Sequence, residues 1–407
     1  MSISSPGGAP TILFGAFDRH NFGDLLFPHI VGRMLARDDV RFAGLAARDL
    51  RRYGGHQVAA VAQLTASPGT TSPNIVHVGG ELLTCNAWEA AVMLSSAERV
   101  QAAIAGESTW KREGTAWALA HLGVPARAPY VCSRHAIARL HARRVVFNAV
   151  GGVDLDTAAP ALLTEVLDAL RAADHVSVRD THTKALLQKA NVDAELAPDP
   201  VVMVADLFGN KIRRRASHGE VKQVRNAFPR GYIAVQFSAD FGDDRTLDTI
   251  ARRLESTAVP SGLGVVLFRA GAAPWHDDLR CYARLASRLQ RASVKLFYSL
   301  NIWDICALIA QSRLYCGSSL HGRIVAMAFG VPRVNVRHPA RTGRLTKQAA
   351  FAATWERPEQ AAVVAIDDIE QACNRALASS QGELNVKARE LATCYREAFA
   401  SVRARLS

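Results

Sequence analysis

Short apolar runs alternate with amphipathic stretches along most of this 407-residue sequence, and this alternation limits the possible folds more than any other feature. In the first half, strand-like runs occupy residues 11–17, 74–80, 144–150 and 175–180, and the segment 159–173 has the periodicity of an amphipathic helix. Strands that alternate with helices are typical of parallel sheets covered by helices. The sequence therefore predicts an α/β protein.

The pattern restarts after a polar, basic segment at residues 209–228, which we interpret as a linker. Because 407 residues exceed the size of one common core, we predict two domains, at 1–208 and 229–378, followed by an amphipathic helix at 379–407. Both domains are expected to be doubly wound and Rossmann-like and to face a common cleft, where ligands bind beyond the carboxyl ends of the strands. The strand-like runs of the second half are 231–238, 264–270, 294–299, 313–319 and 332–336.

The composition excludes several classes of protein. A hydrophobic share of 49% is typical of a globular chain, and no run approaches the roughly 18 apolar residues of a membrane helix. No secretory signal is evident, so we expect a cytoplasmic protein, with a peripheral position at the inner face of the membrane left open. Seven scattered cysteines predict buried thiols rather than a metal site. The net charge of +12 fits anionic substrates, and no nucleic-acid-binding motif accompanies it.

Polar residues and glycines follow two strand-like runs of the first half. In "NFGD" at 21–24 the start of a helix favours an anion, and in "VGGELL" at 78–83 paired glycines let a backbone approach a ligand closely. Each motif also has a purely structural interpretation, as a capped helix start or as a tight turn. The acidic residue of either motif is a candidate base for a sugar hydroxyl. The candidate residues are Asn21, Gly23, Asp24, Gly79, Gly80 and Glu81.

A third strand end carries Arg179, whose planar fork of donors suits phosphate or carboxylate. The structural alternative is an ion pair with Asp180 that fixes the loop. Further along, Asp199 lies between two prolines, and we interpret it as a structural or interdomain residue.

The stretch "CGSSLHGRIVAMAFGVPRVNV" at 316–336 is the most informative one. It predicts a buried strand, a turn with Ser318, Ser319 and His321, and a short apolar helix. The helix start and the two hydroxyls can hold an anion. The imidazole can supply a proton near neutral pH, which suits the departure of a phosphate from carbon. The alternative is a serine N-cap beside a histidine that happens to lie in the loop.

Taken in order, four motifs resemble those of the polysaccharide pyruvyl transferase family. They are "NFGD", "VGGELL", "SVRDTHTKALL" with "APDPV", and "SSLHGRIVAMAFGVP", which together span about residues 12–336. The resemblance implies a fold similar to two-domain, GT-B-like glycosyltransferases. It also implies that pyruvate moves from phosphoenolpyruvate to a sugar of a polysaccharide or glycoconjugate as a cyclic ketal, with release of phosphate and without a cofactor.

Leu320 and His321 match the motif of this family, whereas Ser319 stands where many members have an arginine. A Ser-Ser-Leu-His-Gly branch of the family shares this difference. The resemblance implies that His321 serves phosphoenolpyruvate and that cations from elsewhere meet the charge of the donor. We expect the donor on the second domain and the acceptor on the first. The candidates for the cations are Arg179 and Arg323, followed by Arg337 and Arg341.

Two other functions stay open at this point. The first is a nucleotide-sugar-dependent glycosyltransferase on the same fold, and the second is a non-catalytic carbohydrate-binding relative. A glycosyltransferase would need an acidic residue to bind ribose, whereas the segment 335–347 is basic. The change at Ser319 is the best argument for a non-catalytic relative. The expected partners are phosphoenolpyruvate and a sugar acceptor, which a lipid could carry, with no nucleic acid and no metal.

Overall fold

The computed structural model describes residues 9–37, 39–64, 72–132, 141–360 and 363–406. It confirms the predicted α/β class, because two parallel sheets lie between layers of helices. Every strand-like run predicted from the sequence contains a strand. Within these ranges, no helix combines the length and the apolar character needed to cross a bilayer.

The described part of the first domain contains, in chain order, β1 (Thr11–Phe14), α1 (Phe22–Leu35), β2 (Val40–Gly44), β3 (Arg48–Asp49), β4 (Gln57–Ala60), β5 (Asn74–Val78), α2 (Ala87–Leu94), α3 (Val100–Ala105), α4 (Glu107–Glu113), α5 (Thr115–Leu122), β6 (Arg144–Val150), α6 (Pro160–Arg171), β7 (His175–Val178), α7 (Thr181–Lys189) and β8 (Glu195–Leu196). Its strands form one sheet in the order β3-β4-β2-β1-β5-β6-β7-β8. The short β3 is antiparallel to β4, and the other pairs are parallel.

Two helices, α8 (Val204–Arg215) and α9 (Gly219–Ala227), lead to the second domain. The described part of that domain contains β9 (Tyr232–Gln236), α10 (Asp244–Ser261), β10 (Gly264–Phe268), α11 (Leu279–Ala286), β11 (Val294–Phe297), α12 (Ile302–Ala310), β12 (Leu314–Gly317), α13 (Leu320–Ala328), β13 (Arg333–Val336), α14 (Lys347–Trp355), β14 (Val363–Val364) and α15 (Ile369–Leu377). These strands are all parallel, in the order β11-β10-β9-β12-β13-β14.

Each sheet has one point at which the strand order reverses direction. In the first sheet β2 pairs with one side of β1, and β5, which comes later in the chain, pairs with the other side. In the second sheet it leaves β9 toward β10 and returns to pair β12. The loops at such points diverge and leave a crevice beyond the carboxyl ends of the strands. The segments after β1, β5, β9 and β12 therefore border the space between the domains.

The segment predicted as a basic linker, residues 209–228, is helical over most of its length. Its basic side chains face water, whereas Ile212, Val221 and Val224 are buried. The apolar positions are sparse but have helical spacing, which the charge of the segment obscures.

A long terminal helix, α16 (Gln381–Leu406), returns from the second domain to the first. Near its start, Gln381 donates to the carbonyl of Gly330 (2.8 Å), and farther along the Tyr395 hydroxyl accepts from the amide of Asn148 (2.9 Å). One hydrophobic cluster includes buried residues of α1, α12, α13 and α16. The two domains therefore share a continuous apolar core in addition to their own.

Candidate active site

A cleft of about 480 Å³ lies between the two domains. Residues that follow β1 and β5 border it on one side, and residues that follow β9 and β12 border it on the other. Both switch points of the fold thus open into the same space. Nine of the residues predicted from the sequence line this cleft: Asn21, Asp24, Gly80, Glu81, Arg179, Ser318, Ser319, Leu320 and His321.

A buried ion-pair network joins the domains beneath the cleft. Arg179 donates to Oδ2 of Asp199 (2.8 Å) and to Oε1 of Glu81 (2.5 Å). Nε2 of His321 lies 3.6 Å from the same Oδ2 of Asp199, within ion-pair distance when the imidazole is protonated. Asp199 is fully buried and Arg179 is 1% exposed. This position agrees with the interdomain interpretation of Asp199, and the alternative partner of Arg179, Asp180, instead caps α7.

The network keeps its buried carboxylate charged. Burial acts to raise the pKa of Asp199, but His321, Arg179 and the N–H of Val201 outweigh it, so the pKa is lowered. Burial also opposes the charge of Arg179, and Glu81 together with Asp199 overcomes that effect and raises its pKa. Asp199 is therefore an anion at neutral pH, and it holds Arg179 in a fixed position at the edge of the cleft.

Helix α1 forms the surface against which His321 packs. The amide oxygen of Asn21 accepts from the N–H of Gly23 (3.1 Å) and caps the helix. A Cβ atom on Gly23 would lie 1.9 Å from Nδ1 of His321, so only glycine leaves room for the imidazole. The ring of Phe27 meets the imidazole edge-on, with centroids 5.1 Å apart. Gly23 does not line the cleft. It affects the site indirectly, because it leaves the space in which the imidazole of His321 lies.

Gly79, which was predicted to bind substrate, is also outside the cleft lining. Its φ of +156° lies at the edge of the region that favours glycine, and a Cβ atom there would meet the side chain of Leu82 at 3.2 Å. Gly79 therefore serves the turn, which is the structural interpretation of the motif. The adjacent Gly80 does line the cleft, close to Arg179 and Asp24.

Arg19 was not among the predicted site residues, although it stands two residues before Asn21, the first residue of the "NFGD" motif. One of its Nη atoms donates to the hydroxyl of Tyr130 (2.9 Å), and the other lies 3.8 Å from Oδ2 of Asp24. The Tyr130 hydroxyl in turn donates to buried Asp18 (2.9 Å). The side chain of Arg19 is 10% exposed, and its buried Nε has no hydrogen-bond partner. The guanidinium of Arg19 is thus held in place by Tyr130 and Asp24, and the residue lines the cleft.

On the second domain, a side-chain network organises the start of α13. Ser319 caps the helix by accepting from the N–H of Gly322 (3.1 Å), and its own N–H donates to Oε1 of Gln236 (2.9 Å). The amide of Gln236 donates to both oxygens of Asp277 (2.9 and 3.0 Å). Ser318 accepts from a backbone N–H through its hydroxyl. The serine N-cap of the structural alternative is therefore present at Ser319, whereas Ser318 does not cap the helix.

Asp277 is a second cleft residue that sequence reasoning missed. Burial raises its pKa to about 7, and hydrogen bonds from the N–H of Ala270 and from Gln236 act in the opposite direction. It lies in the loop after β10, where the sequence pattern marks no motif. Its burial and its contact with Gln236 of β9 depend on the fold, so the local sequence does not reveal it.

Arg323 was predicted to meet the donor, and this prediction is not compatible with its position. Its side chain is fully buried and donates to Glu356 (2.6 Å) and Asn335 (3.3 Å). Arg333 binds the other oxygen of Glu356. Two residues that are two positions apart on a helix point in directions about 200° apart. Because His321 points toward the cleft, Arg323 points into the core. Its charge stabilises the second domain and does not reach the cleft.

Cations from other segments do line the cleft. They come from the loop after β13 and from the first residue of α14. Arg341 lies 3.8 Å from Asp154 of the first domain. Among the described residues, no group of three or more His, Cys, Asp or Glu side chains is arranged to hold a metal ion. The cleft-lining cations of these segments are Arg337, Arg341 and Lys347.

Two doubly wound domains that enclose a cleft lined by charged residues of both signs define a two-domain α/β protein of the GT-B-like class. The family model for polysaccharide pyruvyl transferase matches residues 123–339, which is more than half of the sequence. The chain therefore belongs to the polysaccharide pyruvyl transferase family, as its motifs predicted. No curated protein matches the chain.

Solved structures with very different sequences share the whole architecture. UDP-GlcNAc 2-epimerase from Neisseria meningitidis, bound to UDP-GlcNAc, is 11% identical with a TM-score of 0.55, covering 98% of this chain and 99% of its own. UDP-N-acetylglucosamine 2-epimerase from Rickettsia bellii is 9% identical with a TM-score of 0.53, covering 97% and 98%. The N-terminal domain of Candida albicans trehalose-6-phosphate phosphatase is 10% identical with a TM-score of 0.51, covering 98% and 100%. At these identities the likeness concerns the fold alone.

Proposed function

We propose that this protein is a ketal-forming pyruvyl transferase, which moves pyruvate from phosphoenolpyruvate to two hydroxyls of a sugar and releases phosphate. The observation that carries the proposal is the junction of His321 with Asp199 and Arg179 at a cleft lined by further cations. Membership of the family supports the same reaction. The proposal implies a cytoplasmic enzyme, because phosphoenolpyruvate is a metabolite of that compartment.

The donor brings roughly three negative charges at neutral pH, which several cations must balance. Arg179 is already paired with two carboxylates. Arg19 lines the cleft from the first domain with Asp24 3.8 Å away, and Lys347 lines it from the second domain. We assign these two residues to the phosphate and carboxylate of phosphoenolpyruvate, with Arg337 and Arg341 nearby. They supply the charge that an arginine at position 319 provides in many relatives.

The reaction needs two proton transfers and two additions. Protonation of the methylene carbon of phosphoenolpyruvate makes the adjacent carbon electrophilic, and the first sugar hydroxyl adds there. The bond from that carbon to the phosphate oxygen then breaks, and the second hydroxyl closes the ketal. The sugar loses two hydroxyl protons in the overall reaction. One proton is gained where the methylene group becomes a methyl group, and the other is gained by the released phosphate. His321, backed by the Asp199 carboxylate, is the proposed proton donor.

Asp24 is the better candidate for the base that accepts the hydroxyl protons. It lines the cleft, and the nearest guanidinium atom of Arg19 is 3.8 Å away. Glu81 is occupied on both oxygens, because one accepts from Arg179 and the other from the N–H of Val153 (3.2 Å). We therefore propose that Glu81 holds Arg179 and that Asp24 receives the proton.

The segment after β13 gives less support to a nucleotide-sugar enzyme, although Asp240 and Asp277 line the cleft elsewhere on the second domain. The described residues 336–348 that line it are basic, neutral or apolar and include no carboxylate for a ribose. This is the segment in which the sequence already suggested that the acidic residue is lacking.

The decisive experiment measures phosphate release from phosphoenolpyruvate with a panel of galactosides, glucosides, mannosides and amino sugars. We expect acceptor-dependent phosphate and, in D₂O, a product methyl group that carries deuterium, as seen by NMR and mass spectrometry. The variant His321→Asn should lose activity by about 10²-fold or more while it keeps its melting temperature. Absence of phosphate release, together with no thermal protection by phosphoenolpyruvate, would reject the proposal.

A further inference from the structure

Two tryptophans from different domains meet at the cleft. The rings of Trp88, on α2, and Trp275, in the loop between β10 and α11, have centroids 5.2 Å apart and are inclined by 60°. Trp88 is anchored by donating from its indole nitrogen to the carbonyl of Ala103 (2.9 Å). Trp275 lines the cleft and is 43% exposed. Much of one indole surface is thus open to a ligand in the cleft.

The backbone of Trp275 is held in an unfavourable conformation. Its φ is +65°, in the left-handed region that bulky residues rarely adopt. The loop is tied to the first domain, because the N–H of Ala272 donates to the carbonyl of His20 (3.0 Å). It is tied to the second domain by the carbonyl of His276, which accepts from the N–H of Ala239 (2.9 Å). Strain that is maintained by surrounding contacts is common at ligand sites.

Carboxylates accompany the aromatic pair. Glu89 and Asp154 line the same cleft, and Asp154 contributes to a raised pKa of Glu89, whose largest cause is burial. Glu89 uses one oxygen to close the cap of α2. Carboxylate oxygens accept hydrogen bonds from hydroxyls and repel anions. Arg19 and Arg341 also act on Glu89 and lower its pKa, so cations lie near these carboxylates. Beside the exposed indole of Trp275, the carboxylate oxygens suit the hydroxyls of a neutral polyol.

We propose that Trp275, supported by Trp88, stacks on a hexopyranose ring of the acceptor and positions it for the reaction. The C–H face of a pyranose is apolar and weakly positive, and it packs on the negative face of an indole ring. Glu89 and Asp154 accept hydrogen bonds from hydroxyls at the ring edge. This inference rests on the proposed function for the identity of the reaction, and it adds an acceptor subsite that is formed by both domains.

The test compares Trp275→Ala, Trp275→Phe and the control Tyr298→Ala, which removes another exposed aromatic side chain that is 57% exposed and outside the cleft lining. With the best acceptor of the panel, Trp275→Ala should raise KM for the acceptor by about tenfold. KM for phosphoenolpyruvate and its thermal protection should stay unchanged. Trp275→Phe should retain part of the acceptor affinity, and Tyr298→Ala should match the wild type.

A direct binding measurement separates this inference from the proposed function. Methyl glycosides of galactose, glucose, mannose and N-acetylglucosamine are titrated while tryptophan fluorescence is followed in the wild type and in Trp275→Phe. A saturable change that is lost in the variant supports the subsite, even if no phosphate is released. An active wild type whose acceptor KM is the same in Trp275→Ala overturns the subsite and leaves the transferase intact. Absence of any glycoside-dependent change also overturns it.

Discussion

Nε2 of His321 lies 3.6 Å from Oδ2 of Asp199, so the first turn of a helix in the second domain meets a buried carboxylate of the first. The same oxygen accepts from Arg179, and the other oxygen of Asp199 accepts from the N–H of Val201 (3.0 Å). The carboxylate thereby fixes two functional side chains at once. Asp199 therefore contributes both to the contact between the domains and to the surroundings of the imidazole, alongside Gly23 and Phe27.

Replacement of Asp199 by Asn should reduce both turnover and stability. The amide keeps the shape but removes the negative charge beside His321 and leaves Arg179 with Glu81 as its remaining carboxylate partner. We expect phosphate release to fall by about 10²-fold or more and the free energy of unfolding to fall by about 3–5 kcal/mol. Urea unfolding and the phosphate assay measure the two effects. The control Asp206→Asn, at a surface pair with Arg396, should change neither by much; equal losses in both variants would argue against the role of Asp199.

Gly23→Ala should impair catalysis through His321. The added Cβ would come within 1.9 Å of Nδ1 of the imidazole, so the ring must move away from its present position. We expect a loss in kcat of about tenfold or more, because small displacements of a positioned group are costly. Gly32→Ala in the same helix is the matched control, since its Cβ would meet only Phe42 at 4.0 Å. That variant should keep full activity, and an equally active Gly23→Ala would contradict the packing argument.

Lys347→Met should weaken the donor and leave the acceptor unaffected. Lys347 lines the cleft opposite Arg19, and the loss of one cation beside a multiply charged ligand should raise KM for phosphoenolpyruvate by about tenfold. The effect should shrink as salt is added, because screening weakens the charge interaction in the wild type. Initial rates at varied phosphoenolpyruvate measure it. Lys111→Met, at a surface pair with Glu107, serves as the control; an unchanged KM in Lys347→Met would remove this residue from the donor site.

Glu356→Gln should destabilise the protein without changing its chemistry. Glu356 is the shared carboxylate of Arg323 and Arg333, and burial acts to raise its pKa while the two guanidinium groups lower it overall. Its removal would leave two buried cations short of their counter-charge, at a cost of about 3–5 kcal/mol in the free energy of unfolding. Chemical denaturation measures the loss. At temperatures below the melting transition, KM for phosphoenolpyruvate should be unchanged. A large increase in this KM would indicate that Arg323 takes part in donor binding.

Acidification should destabilise the protein through a pair of histidines next to Trp303. The rings of His29 and His56 have centroids 4.0 Å apart. Burial lowers the pKa of His29 to about 3 and that of His56 to about 4, and the charge of Lys211 adds to both shifts. Both groups bind protons more weakly in the folded state. Their contribution is therefore complete above the unfolded pKa of about 6.5 and is lost as the pH falls toward 4.

The variant His56→Gln tests this pH dependence. Between pH 7 and pH 5 the wild type should lose about 1–2 kcal/mol more unfolding free energy than the variant. Urea unfolding at both pH values measures the difference. The exposed His218 provides the control, because His218→Gln should keep the slope of the wild type. Equal slopes in the wild type and in His56→Gln would disprove the assignment.

The sequence predicts the strand ends and therefore the polar residues that border the cleft at those ends. Asn21, Glu81, Arg179 and His321 each follow an apolar run, and parallel strands bring such positions to one edge. The direction of a side chain on a helix was harder to foresee. Arg323 shares a motif with His321 but points into the core, as the helical angle between them requires.

Other parts of the site depend on partners that are distant in the chain. Arg19 is a candidate because Tyr130 and Asp24 hold it beside the cleft, and these contacts form only in the folded protein. Asp277 owes its raised pKa to burial in the folded protein. The pairing of Trp88 with Trp275 likewise joins residues of different domains. Local patterns carry no information about such neighbours.

The return of α16 to the first domain determines how relatives of this protein can be recombined. The carbonyl of Leu406, near the end of the helix, accepts from the side chains of Arg37 and Asn74, at 3.4 Å in each case. The first domain is therefore completed by a separate stretch of chain from the C-terminal end. A functional hybrid with another family member needs two crossovers, one near residue 230 and one near residue 380. A single crossover would pair a foreign helix with the surface that Asn148 and Asn74 present.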